Sequence, residues 1–283
     1  MIKKSVEVSL SGGIGNQLFQ FAAGLSLCSQ LDAELVLNSS WYGRKTSAAQ
    51  RKMQLHYFVE VDKFQTHSTS IHPTIDRMKR IAQGYRIVNE AEYDPERFLL
   101  IRTNRNVVMN GYWQSERYFS AVSSLLRASI KQDDFTSKSA NDLAESIKSS
   151  KCIGIHVRRG DYVTDPKTRA VHGVCDRAYF LDAVRFIKER NEVDSLIVFS
   201  DDTEWCQNNL EFEFRTKIID ESICDVDQLK LLSLCGHHII SNSSFSWWAA
   251  WLGSKPEQNV VYPTSWFADG RALESMPAGW IEL

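Results

Sequence analysis

The chain has 283 residues, 43% of them hydrophobic and 24% charged, a globular composition long enough for one large or two ordinary domains. Its formal net charge of -2 and pI near 6.4 exclude nucleic acid as a partner held by a general basic field, so any anionic ligand must be gripped locally. Six cysteines, Cys28, Cys152, Cys175, Cys206, Cys224 and Cys235, lie apart without C-x-x-C spacing, which reads as free thiols and not as a disulfide frame or a zinc site.

No apolar run reaches the roughly 18 residues that cross a bilayer, and no leader pattern precedes the first strand, so the expectation is a soluble, cytoplasmic protein. Residues 6–10 alternate as a strand does, residues 11–15 form a glycine turn, and apolar residues then recur at helical spacing over 16–31. Glycines such as Gly13 and Gly15 allow close backbone approach, and the amides at a helix start face whatever lies above the turn. A dinucleotide fingerprint is the obvious comparison. It fails on two points: Leu18 stands where the third glycine belongs, and the next strand, 34–38, ends in Asn38 and not in an acid. A plain strand-to-helix connection without a ligand is the other reading of this turn.

Residues 39–75 are polar, without a clear period, and read as loops around short elements. A strand follows at 106–110, and Gly111 to Phe119 then mixes aromatic with hydrogen-bonding side chains. Flat rings such as Tyr112 and Trp113 beside Gln114 suit a sugar, although ordinary packing also produces such clusters. A helix over 119–130 leads into the most polar connector of the chain, 131–142, which marks a domain boundary; the division is expected at 145/146, giving domains 1–145 and 146–283, with the C-terminal tail free to pack back on the first. Beyond it, strands at 152–157, 195–199, 216–219, 238–241 and 259–262 alternate with helices at 176–190, 203–210, 226–235 and 244–252, the pattern of a parallel sheet with crossover helices. Trp247, Trp248 and Trp251 share one face of the last helix and read as packing, not as a ligand platform.

The chemistry concentrates at three strand ends. The apolar strand 152–157 runs into His156, Arg158, Arg159 and Asp161. Arginine forks bind phosphate bidentately. Alternation along an extended chain puts Arg158 on the face of His156 and leaves Arg159 on the other, there to pair with Asp161 in a structural role. The strand 195–199 ends in Ser200, Asp201 and Asp202; adjacent aspartates point apart, so the pair is a poor metal chelate, and one of them suits a helix N-cap. The third end, from Ser241 to Ser246, supplies more hydroxyls than a cap needs and reads as an anion cradle. Cys235-Gly-His-His238 could be taken for a metal cluster, but it abuts a buried strand. Neither a G-x-S-x-G elbow nor a Walker A sequence is present.

Gly12-Gly-Ile-Gly-Asn-Gln-Leu-Phe-Gln20, Gly111-Tyr-Trp-Gln-Ser-Glu116, His156-Val-Arg-Arg-Gly-Asp-Tyr162, Phe199-Ser-Asp-Asp202 and Ser241-Asn-Ser-Ser-Phe-Ser-Trp-Trp248 together resemble the bacterial α-1,2-fucosyltransferases of glycosyltransferase family 11, in order and from the N-terminus to about residue 265. The resemblance implies a GT-B-like α/β fold of two Rossmann-like domains whose parallel sheets face a central cleft. It implies inverting transfer of L-fucose from GDP-β-L-fucose to the 2-hydroxyl of a galactose in a glycan such as a bacterial surface polysaccharide. It further implies that no metal and no further cofactor is required. Peripheral contact with the inner membrane through a lipid-linked acceptor fits that role.

By the same resemblance Arg158 grips the β-phosphate, His156 and Asp201 contact the guanine end, and Ser243, Ser244, Phe245 and Ser246 form the phosphate loop, with Gly13 and Gly15 also on the donor side. Asn16 stands where related protein O-fucosyltransferases carry an asparagine at the reaction centre. Gln17, Tyr112, Trp113 and Gln114 are the acceptor-side candidates. Two other functions are set against this one: a non-catalytic sugar- or nucleotide-binding protein, and a nicotinamide-dependent oxidoreductase using the first glycine turn.

Overall fold

The computed structural model describes residues 3–43, 51–69, 71–270 and 276–283. The chain forms two compact units, Met1–Lys131 and Gln132–Leu283.

In the first unit, β1 (Lys4–Ser9), α1 (Ile14–Leu31), β2 (Ala33–Asn38), β3 (Gln65–His67), α2 (Pro73–Ala82), β4 (Arg86–Asn89), α3 (Pro95–Leu99), β5 (Val107–Asn110) and α4 (Ser123–Ser129) follow in order. Five strands make one parallel sheet in the order β3-β2-β1-β5-β4. β1 is its centre. Val6 lies opposite Leu35 and Val107, and Val8 opposite Leu37 and Met109, so the core is one continuous apolar layer under α1, itself buried along most of its length. The expected strand and helix starts hold to within a few residues. β3, α2, β4 and α3 are not legible in the sequence. β3 carries the polar residues Gln65, Thr66 and His67 at the sheet edge, where a strand needs only backbone pairing.

The second unit begins with α5 (Lys138–Lys148) and continues with β6 (Cys152–Val157), α6 (Gly160–Thr164), α7 (Pro166–His172), α8 (Arg177–Lys188), β7 (Ser195–Ser200), α9 (Thr203–Asn209), β8 (Thr216–Ile219), α10 (Asp225–Leu234), β9 (His237–Ile239), α11 (Ser244–Leu252), β10 (Val260–Tyr262) and β11 (Ile281–Glu282). Its six strands are parallel in the order β8-β7-β6-β9-β10-β11. Numbered within the unit this is 3-2-1-4-5-6, the doubly wound dinucleotide-binding order. Every residue of β6 is buried, as a central strand covered on both faces must be. Trp247, Trp248 and Trp251 are buried and packed together, Trp247 parallel to Trp251 and Trp248 edge-on to both, in line with the packing role expected of them.

The division at 145/146 is displaced to 131/132, and the reason is a buried charge. Asp227 on α10 lies wholly inside the unit, where it accepts hydrogen bonds from the backbone amide and hydroxyl of Thr136 at 2.9 and 2.7 Å, and the ammonium of Lys230 reaches the carbonyl of Asp134. The polar connector satisfies these groups, and with α5 it joins the second unit. The chain's end likewise extends the second sheet as β11. Among the described residues no helix is long and apolar enough to cross a membrane.

Candidate active site

Open parallel sheets bind ligands beyond the carboxyl ends of the strands where the strand order reverses. In the second unit that point lies between β6 and β9. Arg158 and Arg159 follow β6, and Ser241 to Ser246 follow β9. The two ends are stitched together by Ser241, whose hydroxyl donates to the carbonyl of His156 at 2.6 Å and accepts from the amide of Arg158 at 3.0 Å. The sequence places Ser241 in the anion cradle and gives it no individual role; its hydroxyl is taken up in joining the two strand ends. Its role is visible only once β6 and β9 are known to be neighbours.

Arg158 is held on three sides. Nη2 lies 2.5 Å from Oδ1 of Asp161, Nη1 lies 2.6 Å from Oδ2 of Asp201, and the guanidinium carbon sits 5.2 Å from the centre of the Tyr162 ring. Tyr162 is fixed in turn by its hydroxyl, which donates to the carbonyl of Asn242. A guanidinium carries five N–H donors, so two carboxylate contacts aim the fork and leave others for a ligand. The expected pairing of Arg159 with Asp161 is wrong. Nε of Arg159 lies 3.0 Å from Asp202, and its guanidinium stacks 4.1 Å over Trp205. The alternation rule breaks here because the chain leaves the extended conformation: Arg159 has φ -136 and ψ -58 and is the residue from which α6 starts. Both arginines therefore join one cluster. Asp202 also takes the expected N-cap role, accepting from the amide of Trp205.

Asp201, expected at the guanine end, has one oxygen on the amide of Arg159 at 2.8 Å and the other on Arg158, which makes it an orienting partner of the arginine. A Cβ built on Gly160 would stand 2.5 Å from Oδ2 of Asp201. Gly160→Ala is therefore expected to push Asp201 off Arg158. It should weaken the binding of any anion gripped by Arg158 about tenfold by calorimetry, a loss of about 1.4 kcal/mol, and lower the melting temperature only slightly.

His156 is buried, stacked on Phe245 with ring centres 5.0 Å apart, and its Nδ1 has no hydrogen-bond partner. Burial, reinforced by the charge of Arg158, pulls its pKa down to about 3; burial also lowers buried His238 to about 4. Both stay neutral in the folded protein at pH values where the unfolded chain, with an ordinary value of about 6.5, takes up protons. Stability is then full above that value and falls as the pH drops towards the folded values, by about 1.4 kcal/mol per pH unit for each imidazole. Melting temperatures should fall between pH 7 and pH 5, with a shallower fall in His156→Gln; a flat profile would contradict the burial of these rings as neutral groups.

Ser243 caps α11, accepting from the amide of Phe245, and Ser246 donates back to the carbonyls of Ser241 and Ser243. Both are buried, and Ser244 and Phe245 are partly exposed. His238, read as an unlikely metal ligand, has its Nε2 at the carbonyl of Leu232 and its Nδ1 at the amide of Gln258. Among the described residues no group of three or more histidines, cysteines or acids could hold a metal.

The corresponding reversal in the first sheet lies between β1 and β5. Gly12, at φ +75, makes the turn, and a Cβ there would meet Nδ2 of Asn16 at 2.6 Å. Gly13 is the N-cap of α1, whose first turn holds Gly15. Oδ1 of Asn16 accepts from Nε2 of Gln114 at 2.7 Å, which ties the turn after β1 to the turn after β5. Two acceptor-side candidates drop out. Gln17 is buried, its amide donating to the carbonyls of Gly12 and Lys52 and its oxygen accepting from the amides of Gln54 and Leu55. Trp113 is buried against Phe98 and Tyr118, turned inward at φ +58 because the carboxylate of Glu90 binds the amides of Tyr112 and Trp113, both at 2.7 Å. Tyr112 is 46% exposed and lines a cavity of about 280 Å³ with Trp41, Asn110, Asp76 and Arg77.

The model of the family described as Glycosyl transferase family 11 matches residues 3–282. The chain is 29% identical to an alpha-1,2-colitosyltransferase of Escherichia coli, over 98% of each chain. It is also 29% identical to the O-antigen biosynthesis glycosyltransferase WbnK of Escherichia coli, over 97% of this chain and 99% of that one. Its fold is similar to that of the NodZ alpha-1,6-fucosyltransferase co-crystallized with GDP, with a TM-score of 0.57 and 16% identity over 88% of this chain and 92% of that one. Two parallel-sheet units and this likeness agree with the GT-B-like fold expected from the sequence.

Proposed function

The chain belongs to glycosyl transferase family 11, and from that premise we propose that it transfers L-fucose from GDP-β-L-fucose to the 2-hydroxyl of a terminal galactose, with inversion. The observation that carries the donor side is the Arg158 cluster at the switch point of a sheet in the 3-2-1-4-5-6 order. The α-1,2 linkage in the name of a relative over nearly the whole chain supports the regiochemistry, and NodZ supplies a protein of similar fold co-crystallized with GDP.

In this reading the bond between C1 of fucose and the β-phosphate oxygen breaks, both its electrons leave with GDP, and the acceptor hydroxyl oxygen bonds to C1 from the opposite face and gives up its proton late, to the departing diphosphate or to water. Arg158 meets the charge growing on the leaving diphosphate with a fork already aimed by Asp161 and Asp201, a stabilisation that needs no reorganisation at the moment of reaction. The amides at the start of α11 add to it. Asn16, held by Gln114, and the cavity lined by Tyr112 serve the acceptor. Chelation by EDTA is expected to leave turnover unchanged, because the positive charge in this account comes from the protein.

GDP should raise the melting temperature and NAD should not; the reverse would favour the oxidoreductase, and failure of both a simple sugar binder. The colitosyltransferase among the relatives favours one second reading, with colitose as the transferred sugar. Equal concentrations of fucosyl and colitosyl donors offered to one β-galactoside separate the two by the product formed first.

A further inference from the structure

Helix α2 is built the wrong way round for a soluble domain. Its ten residues include none that is buried. With about 100° of turn per residue, Ile75, Met78 and Ile81 fall along one side, and Asp76 and Arg80 along the other. The protein takes the polar side. Arg80 reaches down to the buried carboxylate of Glu7 on β1, at 3.0 Å to Oε1 and 2.8 Å to Oε2, and pairs with Asp76 at 3.9 Å. The apolar side faces outward, with Ile75, Met78 and Ile81 exposed by 57%, 66% and 54%. Arg77 and Lys79, both exposed, stand on the two borders of this stripe.

We infer that α2 is a membrane-surface helix that seats this unit on an anionic lipid bilayer, with Ile75, Met78 and Ile81 entering the acyl boundary and Arg77 and Lys79 meeting the headgroups. An apolar stripe edged by cations is the arrangement that lies in a lipid interface. The helix carries no acid on its outward side: its one carboxylate, Asp76, faces Arg80. That charge pattern complements a surface of negative headgroups. A protein partner fits less well, because a helix of about 15 Å offers three apolar side chains, far short of the roughly 800 Å² per partner in a stable interface. The cavity beside Tyr112 is also lined by Pro73, Asp76, Arg77 and Arg80 of this same helix, so a seated α2 would bring that cavity to the lipid surface. The inference stands apart from the donor and acceptor assigned above.

The test is sedimentation of the whole chain with large vesicles of phosphatidylglycerol and phosphatidylethanolamine, and with vesicles of phosphatidylcholine alone. The wild type should bind the anionic vesicles and release them as salt rises. Met78→Asp and Ile81→Asp, both at exposed positions, should each lower the bound-to-free ratio about tenfold or more, and Lys79→Glu should weaken binding at low salt. Unchanged melting temperatures would show that these variants are folded, so that a loss of binding reports on the lipid contact. No binding of the wild type to anionic vesicles, or equal binding by Met78→Asp and Ile81→Asp, overturns the inference. So does a wild-type dimer in velocity sedimentation that becomes a monomer in Met78→Asp, which would give the stripe to a second copy of the chain. Loss of the fucosyl-transfer reading would leave the vesicle result untouched.

Discussion

Arg158→Ala is expected to lower turnover with GDP-fucose by about 100- to 1000-fold, the usual cost of removing a donor aimed at developing negative charge. The structure says why a substitute will not serve. Arg158 reaches Asp161 and Asp201 with two different terminal nitrogens while its planar face lies on Tyr162. Lysine has one nitrogen and no flat face, so Arg158→Lys should recover only a small part of the activity. Stability should change little, because Asp161 and Asp201 are each about a third exposed and water can solvate them once the arginine is gone. Steady-state kinetics with both variants, beside their melting curves, separate a lost chemical role from a lost fold. Turnover within about threefold of wild type in Arg158→Ala would move the diphosphate elsewhere.

The second large effect is on stability. Arg80→Ala should destabilise the first unit by about 3–5 kcal/mol, the cost of leaving a buried charge without its partner. Glu7 sits on the central strand with its side chain 4% exposed, takes both oxygens to Arg80, and shares Oε1 with Nδ2 of Asn38 at 2.7 Å. A carboxylate stranded there has no water to turn to. The double variant Glu7→Gln with Arg80→Met should be less damaged than Arg80→Ala alone, since it removes both charges together; chemical denaturation followed by fluorescence reads the difference. The same ion pair anchors α2, so Arg80→Ala should also loosen the helix that presents Ile75, Met78 and Ile81.

Much of the cluster proposed to hold the donor is legible in the sequence. The run from Cys152 to Val157 is apolar because both of its faces are covered, and the polar residues just after each strand mark the carboxyl ends where ligands bind. Arg158, His156 and the serines after β9 stand out as candidates in this way, and the structure brings the ends of β6 and β9 together there. Their partners do not stand out. The period-2 rule assigned Asp161 to Arg159 because it assumed that the strand continued, whereas the backbone turns at Arg159 to begin α6. Ser241 and Asp201 act on β6 from neighbouring strands, and no spacing in the sequence records which strands are neighbours.

The acceptor side was read less well for related reasons. Trp113 and Gln17 look like ligand-facing residues because they stand beside glycine turns, yet Glu90, 22 residues before Tyr112, and the loop around Gln54 claim them from a distance. Helix α2 defeats the ordinary rule altogether. An apolar stripe is normally read as the face turned to the core, and here a single buried carboxylate on β1 draws the polar face inward.

The measurement closest to the central claim is the linkage in the product. With GDP-β-L-fucose and a synthetic β-galactoside, nuclear magnetic resonance of the purified product should show a fucose in the α configuration whose anomeric proton correlates with C2 of galactose. Fucose on another hydroxyl, fucose retained in the β configuration, or donor consumed without a fucosylated product would contradict the assignment.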